Sequence, residues 1–513
     1  MVSHINSFAF SGIDTIDIDI QVHITSGLPA FRIVGLADKA VTESRERVRT
    51  ALSAIGLSIP PQRITVNLSP ADLVKEGSHY DLAIALGMLI SMGVISEDAV
   101  SNYIVMGELS LDGSILPVSG ILPAAIGANA NDMGIICPKA NGEEAYWAGD
   151  IEILAADNIL SLINHFKGIQ LLPKPSIEKS NIDETTYPDF SDIKGQQSAK
   201  RALEIAAAGN HNILMVGPPG AGKSMLAARL PGIVPPLSAE KMLEISMIKS
   251  IAGILQNKKI SNVRPFREPH HNASMAAMVG GGTKAVPGEI TLAHGGVLFL
   301  DELPEFPSQV LDSLRQPMET KKVTISRVQT HITYPSHFQL IAAMNPCKCG
   351  YFGDESRSCT KAPKCAGDYQ AKISGPLLDR IDIHIDVPAV KVSDFYKESK
   401  EESSSDISAR VSSARKIQNA RYKNDENSKN NKRLNIETNS EADGEILMKY
   451  CSPDEKGKKI LNDSVEKFGL SMRGHNRVLR VARTIADLEQ EENIGQQHIS
   501  EAISYRQLNR YKH

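Results

Sequence analysis

The chain has 513 residues, a formal net charge of −4 and an apolar fraction of 42%. That length allows about two to four domains, and the composition is that of an ordinary globular protein rather than a disordered, collagen-like or membrane-spanning chain. With so little net charge, any contact with nucleic acid must come from local basic surface.

The opening residues carry Asp14, Asp17 and Asp19 instead of the basic segment and long apolar core of a secretory signal. The longest apolar run, Leu82 to Ile95, contains Ser91 and is too short to span a bilayer. No membrane insertion and a cytoplasmic location are expected. There, six cysteines suggest metal binding or reduced thiols rather than disulfides.

Residues 1–170 read as a first α+β domain. Ile16 to Val22 alternates apolar and polar residues, the pattern of a half-buried strand. Ala40 to Ile55 has helical spacing, Ile64 to Leu68 reads as a strand, and Asp81 to Met92 as a nearly all-apolar, central helix. Tyr103 to Leu109 opens a strand pair turning at Asp112-Gly113, with short strands at Ile135 to Pro138 and Ile151 to Leu154. Two phrases here, VKEGSHYDLAIALGML and GELSLDGSILPVSGILPAAIGA, resemble the proteolytic domain of Lon and the related domain of the RadA branch-migration ATPase. In Lon-type peptidases that resemblance implies a Ser-Lys dyad. Aligned on the glycines, His79 stands at the serine position, Ser78 falls one residue early, and Leu122 stands at the lysine position. A serine without its base is not activated. The expectation is a non-proteolytic scaffold or substrate-facing platform.

Residues 171–189 are rich in Pro, Lys, Ser and Asp and read as a linker. A second domain is expected over 190–390, opening with a helix from Gln197 to Ala208. It carries Gly217, Pro218, Pro219, Gly220, Ala221, Gly222, Lys223 and Ser224, which fit the phosphate-loop pattern G-x-x-x-x-G-K-[ST] at every fixed position. The apolar run Asn212 to Val216 precedes it as a strand, and Met225 to Leu230 follows as a helix. Glycines let the backbone N–H groups close on phosphate oxygens at a helix N-terminus. Lys223 is then placed for the β/γ-phosphates of ATP, and Ser224 for Mg²⁺. Gly295 to Glu302 gives a second buried strand ending in two acids, with Asp301 expected at Mg²⁺ and Glu302 at the attacking water. Phe338 to Asn345 is a third, with Asn345 placed to sense the γ-phosphate, or else a strand cap. Arg380 precedes the strand Ile381 to Val387 and reads as an arginine finger for a neighbouring subunit, or as a partner for Asp382.

The interval from Ser224 to Val297 is long and basic, with Lys249, Lys258, Lys259, Arg264 and Arg267 ahead of Gly280-Gly281-Gly282. His270 and His271, adjacent on an extended segment, are expected to point apart and so to hydrogen-bond near the nucleotide rather than bind a metal. Lys321 to Tyr334 reads as a hairpin turning at Gln329-Thr330. Lys321, Lys322 and Arg327 are its candidate contacts to DNA phosphates, against a merely solvated face. Cys347, Cys349, Cys359 and Cys365 lie in one polar loop, 347–365, and suit tetrahedral zinc, against reduced thiols without metal. The last third, 391–513, reads as a helical lid. Ser393 to Asn424 is a charged helix and Lys423 to Asn439 a mobile loop. Ala442 to Cys451, Lys456 to Phe468, Met472 to Glu489 and Gln497 to Asn509 are amphipathic helices.

With the motifs in place, the chain resembles AAA+ ATPases of the magnesium-chelatase-like branch, and within it the ComM/YifB family. The phrases RPFREPHHNASMAAMVGGG, PGEITLAHGGVLFLDELPEF, ISGPLLDRIDIHI and RGHNRVLRVARTIADLE carry the resemblance. It implies an α/β fold: a Lon-like first domain, a parallel-sheet AAA+ core and a helical lid. It also implies a hexameric ring that uses ATP and Mg²⁺ on single-stranded or branched DNA, linked to branch migration in natural transformation. By the same resemblance the long interval contains a helix insertion, the hairpin lines the pore, and Arg473 is the second sensor, reaching the nucleotide from the lid. In that family the last two cysteines sit closer together than Cys359 and Cys365 do here, which makes Cys365 the least secure zinc ligand. A chelatase-like or chaperone-like ATPase acting on a protein partner is the alternative reading. The motifs themselves describe only ATP use.

Overall fold

The alternation in Asp14–Thr25 belongs to a seven-stranded sheet. In this computed structural model residues 2–175, 187–255, 260, 262–282, 286–326, 331–352, 361, 363–389, 401–425 and 436–506 are described. The sheet runs in the order Ala30–Val34, Arg63–Ser69, Asp14–Thr25, Val2–Ser11, Tyr103–Val105, Gly134–Pro138, Ile153–Ala156. Its first hairpin pairs Val2–Ser11 with Asp14–Thr25 antiparallel, so Ile18, Ile20 and Val22 face one core with Ile5. The apolar helix Asp81–Ser91 is buried over ten consecutive residues against those two strands. A Cβ at Gly87 would lie 2.7 Å from Val22 Cγ2, so glycine sets how close helix and sheet approach. Val2–Ser11, Ala30–Val34 and the helix Ile121–Ala130 were not signalled by periodicity.

The second sheet is parallel, with five strands in the order Phe266–Arg267, Val297–Leu300, Gln339–Met344, Ile213–Val216, Ile383–Asp386. Its central strands are apolar on both faces, as a sheet covered twice must be. Ile213, Met215, Phe299, Ile341 and Ala343 pack under the helices Gln197–Gly209 and Lys223–Ile233. Leu214, Val216, Leu298, Leu300, Leu340 and Ala342 pack on the opposite side with Phe306, Leu311, Leu314 and the hairpin residues Val323, Ile325 and Tyr334.

The C-terminal helices share the first of these two cores. Val411, Leu447, Val478, Ala482 and Ile485 join it, and both Ser404–Asp425 and Met472–Leu488 pack on Gln197–Gly209. The first of these helices starts later than periodicity suggests. Residues 401–403 are not helical, because the Ser403 hydroxyl accepts from the Asp406 N–H at 3.3 Å and caps the helix. Residues 390–400 lie outside the described set. The expected mobile loop is partly structured: the helix continues to Asp425, residues 426–435 lie outside the described set, and Thr438 and Glu441 form a capping box around a short 3₁₀ turn. The later helices run Gly444–Tyr450, Glu455–Phe468, Met472–Leu488 and Gln496–Ser504. No described helix is long and apolar enough to cross a membrane.

The first sheet's domain is seated on the second by a buried carboxylate. Glu144 Oε1 accepts from the Leu122 N–H at 3.0 Å and from the hydroxyl of Ser250, at the end of the helix Ala239–Ile251. The Gly120 N–H donates to the Ser250 carbonyl at 3.2 Å. The helix that carries Leu122 in the lysine position is therefore docked on the ATPase side, and Leu122 is fully buried. Ser78 donates to the Glu108 carboxylate, and His79, which burial lowers to a pKa of about 4, holds the Phe8 carbonyl at 3.0 Å.

Candidate functional site

The phosphate loop leaves the strand Ile213–Val216 and enters the helix Lys223–Ile233. Gly220 and Gly222 have φ of +75° and +85°, the left-handed region, while open space surrounds the place where a Cβ would stand. Gly217 is constrained differently: a Cβ there would fall 2.1 Å from the Val387 carbonyl oxygen. Lys223 is folded over the loop, donating to the Gly217 carbonyl at 2.7 Å, the Pro218 carbonyl at 3.0 Å and Asn345 Oδ1 at 3.2 Å. Burial lowers its ammonium pKa, and Asp301 and Glu302 oppose that shift.

Strand order brings the remaining polar groups to the same edge. Val297–Leu300 and Gln339–Met344 are parallel to the phosphate-loop strand and end beside it. Ser224 Oγ donates to Asp301 Oδ2 at 2.8 Å. A hydroxyl and a carboxylate held this way offer the oxygen donors Mg²⁺ takes. Glu302 adopts φ +52° and turns its half-exposed carboxylate to His271 Nδ1 at 3.4 Å. His270 and His271 do not point apart: the chain turns at His271-Asn272, and the two rings lie 4.1 Å apart, centroid to centroid. Sequence reasoning gave His271 no contact with Glu302.

Arg380 lies elsewhere. It precedes Ile383–Asp386, and Ile383 is in register with Ile213, so Arg380 sits at the amino-terminal edge of the sheet. A four-residue strand, about 13 Å at 3.3 Å per residue, separates it from the phosphate loop. Arg380 donates to the Pro376 carbonyl at 2.6 Å and pairs with Glu319. Arg473 shares with it a cavity of about 510 Å³ that Arg477 and Arg480 also line. None of Gly217 to Ser224, Asp301, Glu302 or Asn345 lines that cavity. Arg473 is thus grouped with the finger candidate and not with its own phosphate loop, because its helix packs on Gln197–Gly209 and leans on the Arg380–Asp382 corner. Arg477 donates to the Arg380 carbonyl at 2.9 Å and pairs with Asp382.

The hairpin forms from Lys322–Ser326 and His331–Pro335. Lys322 is exposed at its start. Lys321 is not a free cation on its face: it has φ +56°, lines the arginine cavity and is ion-paired with Glu441. Arg327 and the Gln329-Thr330 turn lie outside the described residues. Cys347, Cys349 and Cys365 bring their sulfurs within 4.8 Å of one another, which draws Cys365 into the group its spacing made least secure. Cys359 lies outside the described residues.

A phosphate loop, an acid-ended strand and a polar strand end on one edge of a parallel sheet define a nucleotide-binding AAA+ module, here flanked by a Lon-like domain and a helical C-terminal segment. Residues 189–395 match the family described as magnesium chelatase, subunit ChlI; 20–141 match subunit ChlI of Mg-chelatase, and 401–506 match the ChlI C-terminal family. The chain is 40% identical over 507 residues to the protein YifB of Salmonella typhimurium, covering 99% of this chain and 97% of that one. It is 40% identical over 508 residues to the competence protein ComM of Haemophilus influenzae, covering 98% and 97%. A 182-residue match, 28% identical, relates 30% of the chain to 32% of Lon protease 2 of Bacillus subtilis. The chain belongs to the ComM/YifB family of magnesium-chelatase-like AAA+ proteins.

The two kinds of glycine in the loop should separate experimentally. Gly222→Ala meets no neighbour and should cost about 1–2 kcal/mol of left-handed strain. Gly217→Ala must displace the backbone at Val387 and should cost more. Denaturant unfolding of the two variants in the absence of nucleotide checks the order.

Proposed function

We propose that the chain is an ATP-hydrolysing ring motor that acts on single-stranded or branched DNA in the cytoplasm, as a branch-migration helicase in natural transformation or recombination. The observation that carries the reading is the division of the machinery between two edges of one sheet. Lys223, Ser224, Asp301, Glu302 and Asn345 stand at one edge, Arg380 and Arg473 at the other. A head-to-tail ring, here a hexamer, lays the second edge of each copy against the first edge of the next.

The residues present fit ATP and Mg²⁺. Lys223, which lies on the Gly217 and Pro218 carbonyls, would hold the β/γ-phosphates together with backbone N–H groups of the loop. Ser224 and Asp301 would hold the metal, which would neutralise charge on the phosphates. Glu302 orients and polarises the attacking water, and Asn345 contacts the γ-phosphate. Arg380 and Arg473 serve the phosphates of the neighbouring copy. Their cavity has room for a phosphate chain, and three further polar or basic side chains, Asn476, Arg477 and Arg480, line it beside Arg380 and Arg473. Asn345 as a mere strand cap is disfavoured by its contact with Lys223.

The DNA assignment is supported by the exposed Lys322 at the head of the hairpin and by the name of the Haemophilus relative, a competence protein. The cysteine loop is assigned to zinc: the three clustered sulfurs are the donors that zinc prefers, and Cys359, outside the described residues, is the fourth cysteine of the same stretch of sequence.

DNA should raise the ATP hydrolysis rate, and the effect should weaken steeply with salt as phosphate contacts release counterions. Steady-state hydrolysis with and without branched DNA is the measurement. No stimulation by any DNA at low salt would move the assignment to a remodelling ATPase with a protein partner.

Metal analysis of purified protein should find close to one zinc per chain, lost or weakened in Cys347→Ser. Metal-free protein with the same fold would make the cysteines ordinary reduced thiols.

A further inference from the structure

Beside the phosphate loop lies a group of lysines that this chemistry does not use. Lys348, Lys361, Lys364 and Lys372 line a cleft of about 540 Å³ together with Cys365, Tyr369 and one acid, Asp368. All four lysines are exposed. Lys372 lies 3.4 Å from Glu305 and 5.4 Å from the Tyr369 ring centroid. No ion pair joins Lys348, Lys361 or Lys364 to an acid among the described residues.

The cysteines explain why these charges are gathered. Lys348 stands between Cys347 and Cys349, and Lys364 immediately precedes Cys365, so the cluster of sulfurs brings together lysines from two separate stretches of chain. Concentrating like charges on a surface is unfavourable unless a polyanion answers them. The cleft lies close to the nucleotide machinery, through its own Lys372 and through the neighbouring Gly350 and Gln370. At Gly350, with φ +85°, a Cβ would stand 2.6 Å from Pro219 Cδ of the phosphate loop. Gln370 Nε2 donates at 3.0 Å to the carbonyl of Pro346, beside Asn345. Lys372 reaches Glu305, whose N–H donates to the Glu302 carbonyl at 2.7 Å.

We propose that this lysine cleft binds phosphate groups of the DNA backbone. The inference rests on the DNA-motor reading and adds to it a contact surface distinct from the hairpin. Lysines are compact point charges without the planar fork that reads bases, so they suit phosphates of any sequence. Tyr369 is buried at 4% exposure and offers no platform for base stacking, which again points to backbone and not to bases.

The test uses the full chain and a fluorescent single-stranded oligonucleotide, with binding measured by anisotropy across a salt series. In Lys348→Gln/Lys361→Gln/Lys364→Gln, binding at low salt should weaken about tenfold or more, and the slope of log affinity against log salt should fall by about 2, or about 0.7 per lost phosphate contact. The corresponding triple arginine variant should keep both affinity and slope. Lys361→Gln alone, in an exposed turn, should lower the slope by about 0.7, which keeps the test open if the triple variant does not fold. Equal affinity and slope in wild type and glutamine variants would overturn the cleft while leaving the DNA reading standing. Absence of oligonucleotide binding by wild type at low salt would overturn the DNA reading and the cleft with it. Polyglutamate binding as tightly as the oligonucleotide, and lost in the same variants, would assign the cleft to an acidic protein and overturn the proposal.

Discussion

The buried carboxylate of Asp382 is the contact on which the arrangement of the ATPase depends. It accepts from the Asn212 N–H at 3.2 Å, faces His211 Nδ1 at 3.4 Å and pairs with Arg477. Asn212 leads into the phosphate-loop strand, Arg477 belongs to the helix that carries Arg473, and Asp382 itself follows Arg380 in the same corner. One anion therefore fixes both candidate trans arginines to the strand that leads into the phosphate loop. Burial alone would raise its pKa, but Arg477, His211 and Arg480 hold it well below the usual carboxylate range, so it stays charged at neutral pH. Removing one partner from such a buried pair costs about 3–5 kcal/mol. The clasp continues outward: His211 meets Thr484 at 2.8 Å, Asn439 donates to Thr484 at 3.0 Å, and Arg421 pairs with Asp487.

A sheet held this way keeps its two polar edges a strand length apart. One chain cannot bring Arg380 to its own Lys223 without dismantling the core between them. Lys223 lies on the carbonyls of its own loop, and Arg380 is capped by Glu319. The Lon-like domain is fixed to the same body by Glu144, and what stands where a peptidase would have its base is the buried, docked start of a helix.

Much of this was legible in the sequence, and for physical reasons. The phosphate loop demands glycines at fixed places, and a buried parallel strand must be apolar on both faces, so Ile213–Val216, Val297–Leu300 and Gln339–Met344 announce themselves. The helix Asp81–Ser91 is similarly plain, because nothing but a core position tolerates such an apolar run. What stayed hidden was set by contacts distant in sequence. Val2–Ser11 reads weakly because its serines hydrogen-bond to neighbouring elements; Ser3 donates to the Gly87 carbonyl of the helix packed on the sheet and Ser7 to the Val105 carbonyl of the next strand, both at 2.8 Å. Arg473 could be matched to a motif, but its grouping with Arg380 depends on how the C-terminal helices pack. Lys321 looked like a hairpin charge until Glu441, far along the chain, was seen to hold it. The close approach of the His270 and His271 rings came from a turn that adjacency alone does not reveal.

The central claim is that hydrolysis is completed between neighbouring copies, and subunit mixing tests it most directly. Lys223→Ala should lose its own phosphate grip yet still present Arg380 to its neighbour; Arg380→Ala should keep the loop and offer no finger. Each variant alone should be nearly inactive, since a trans arginine supplies on the order of 10³ or more in rate. Co-expressed or co-refolded in equal amounts, they should regain ATP hydrolysis, because random placement in a head-to-tail ring leaves about a quarter of the interfaces with both parts intact. A mixture that assembles normally and stays as inactive as either parent would contradict the account.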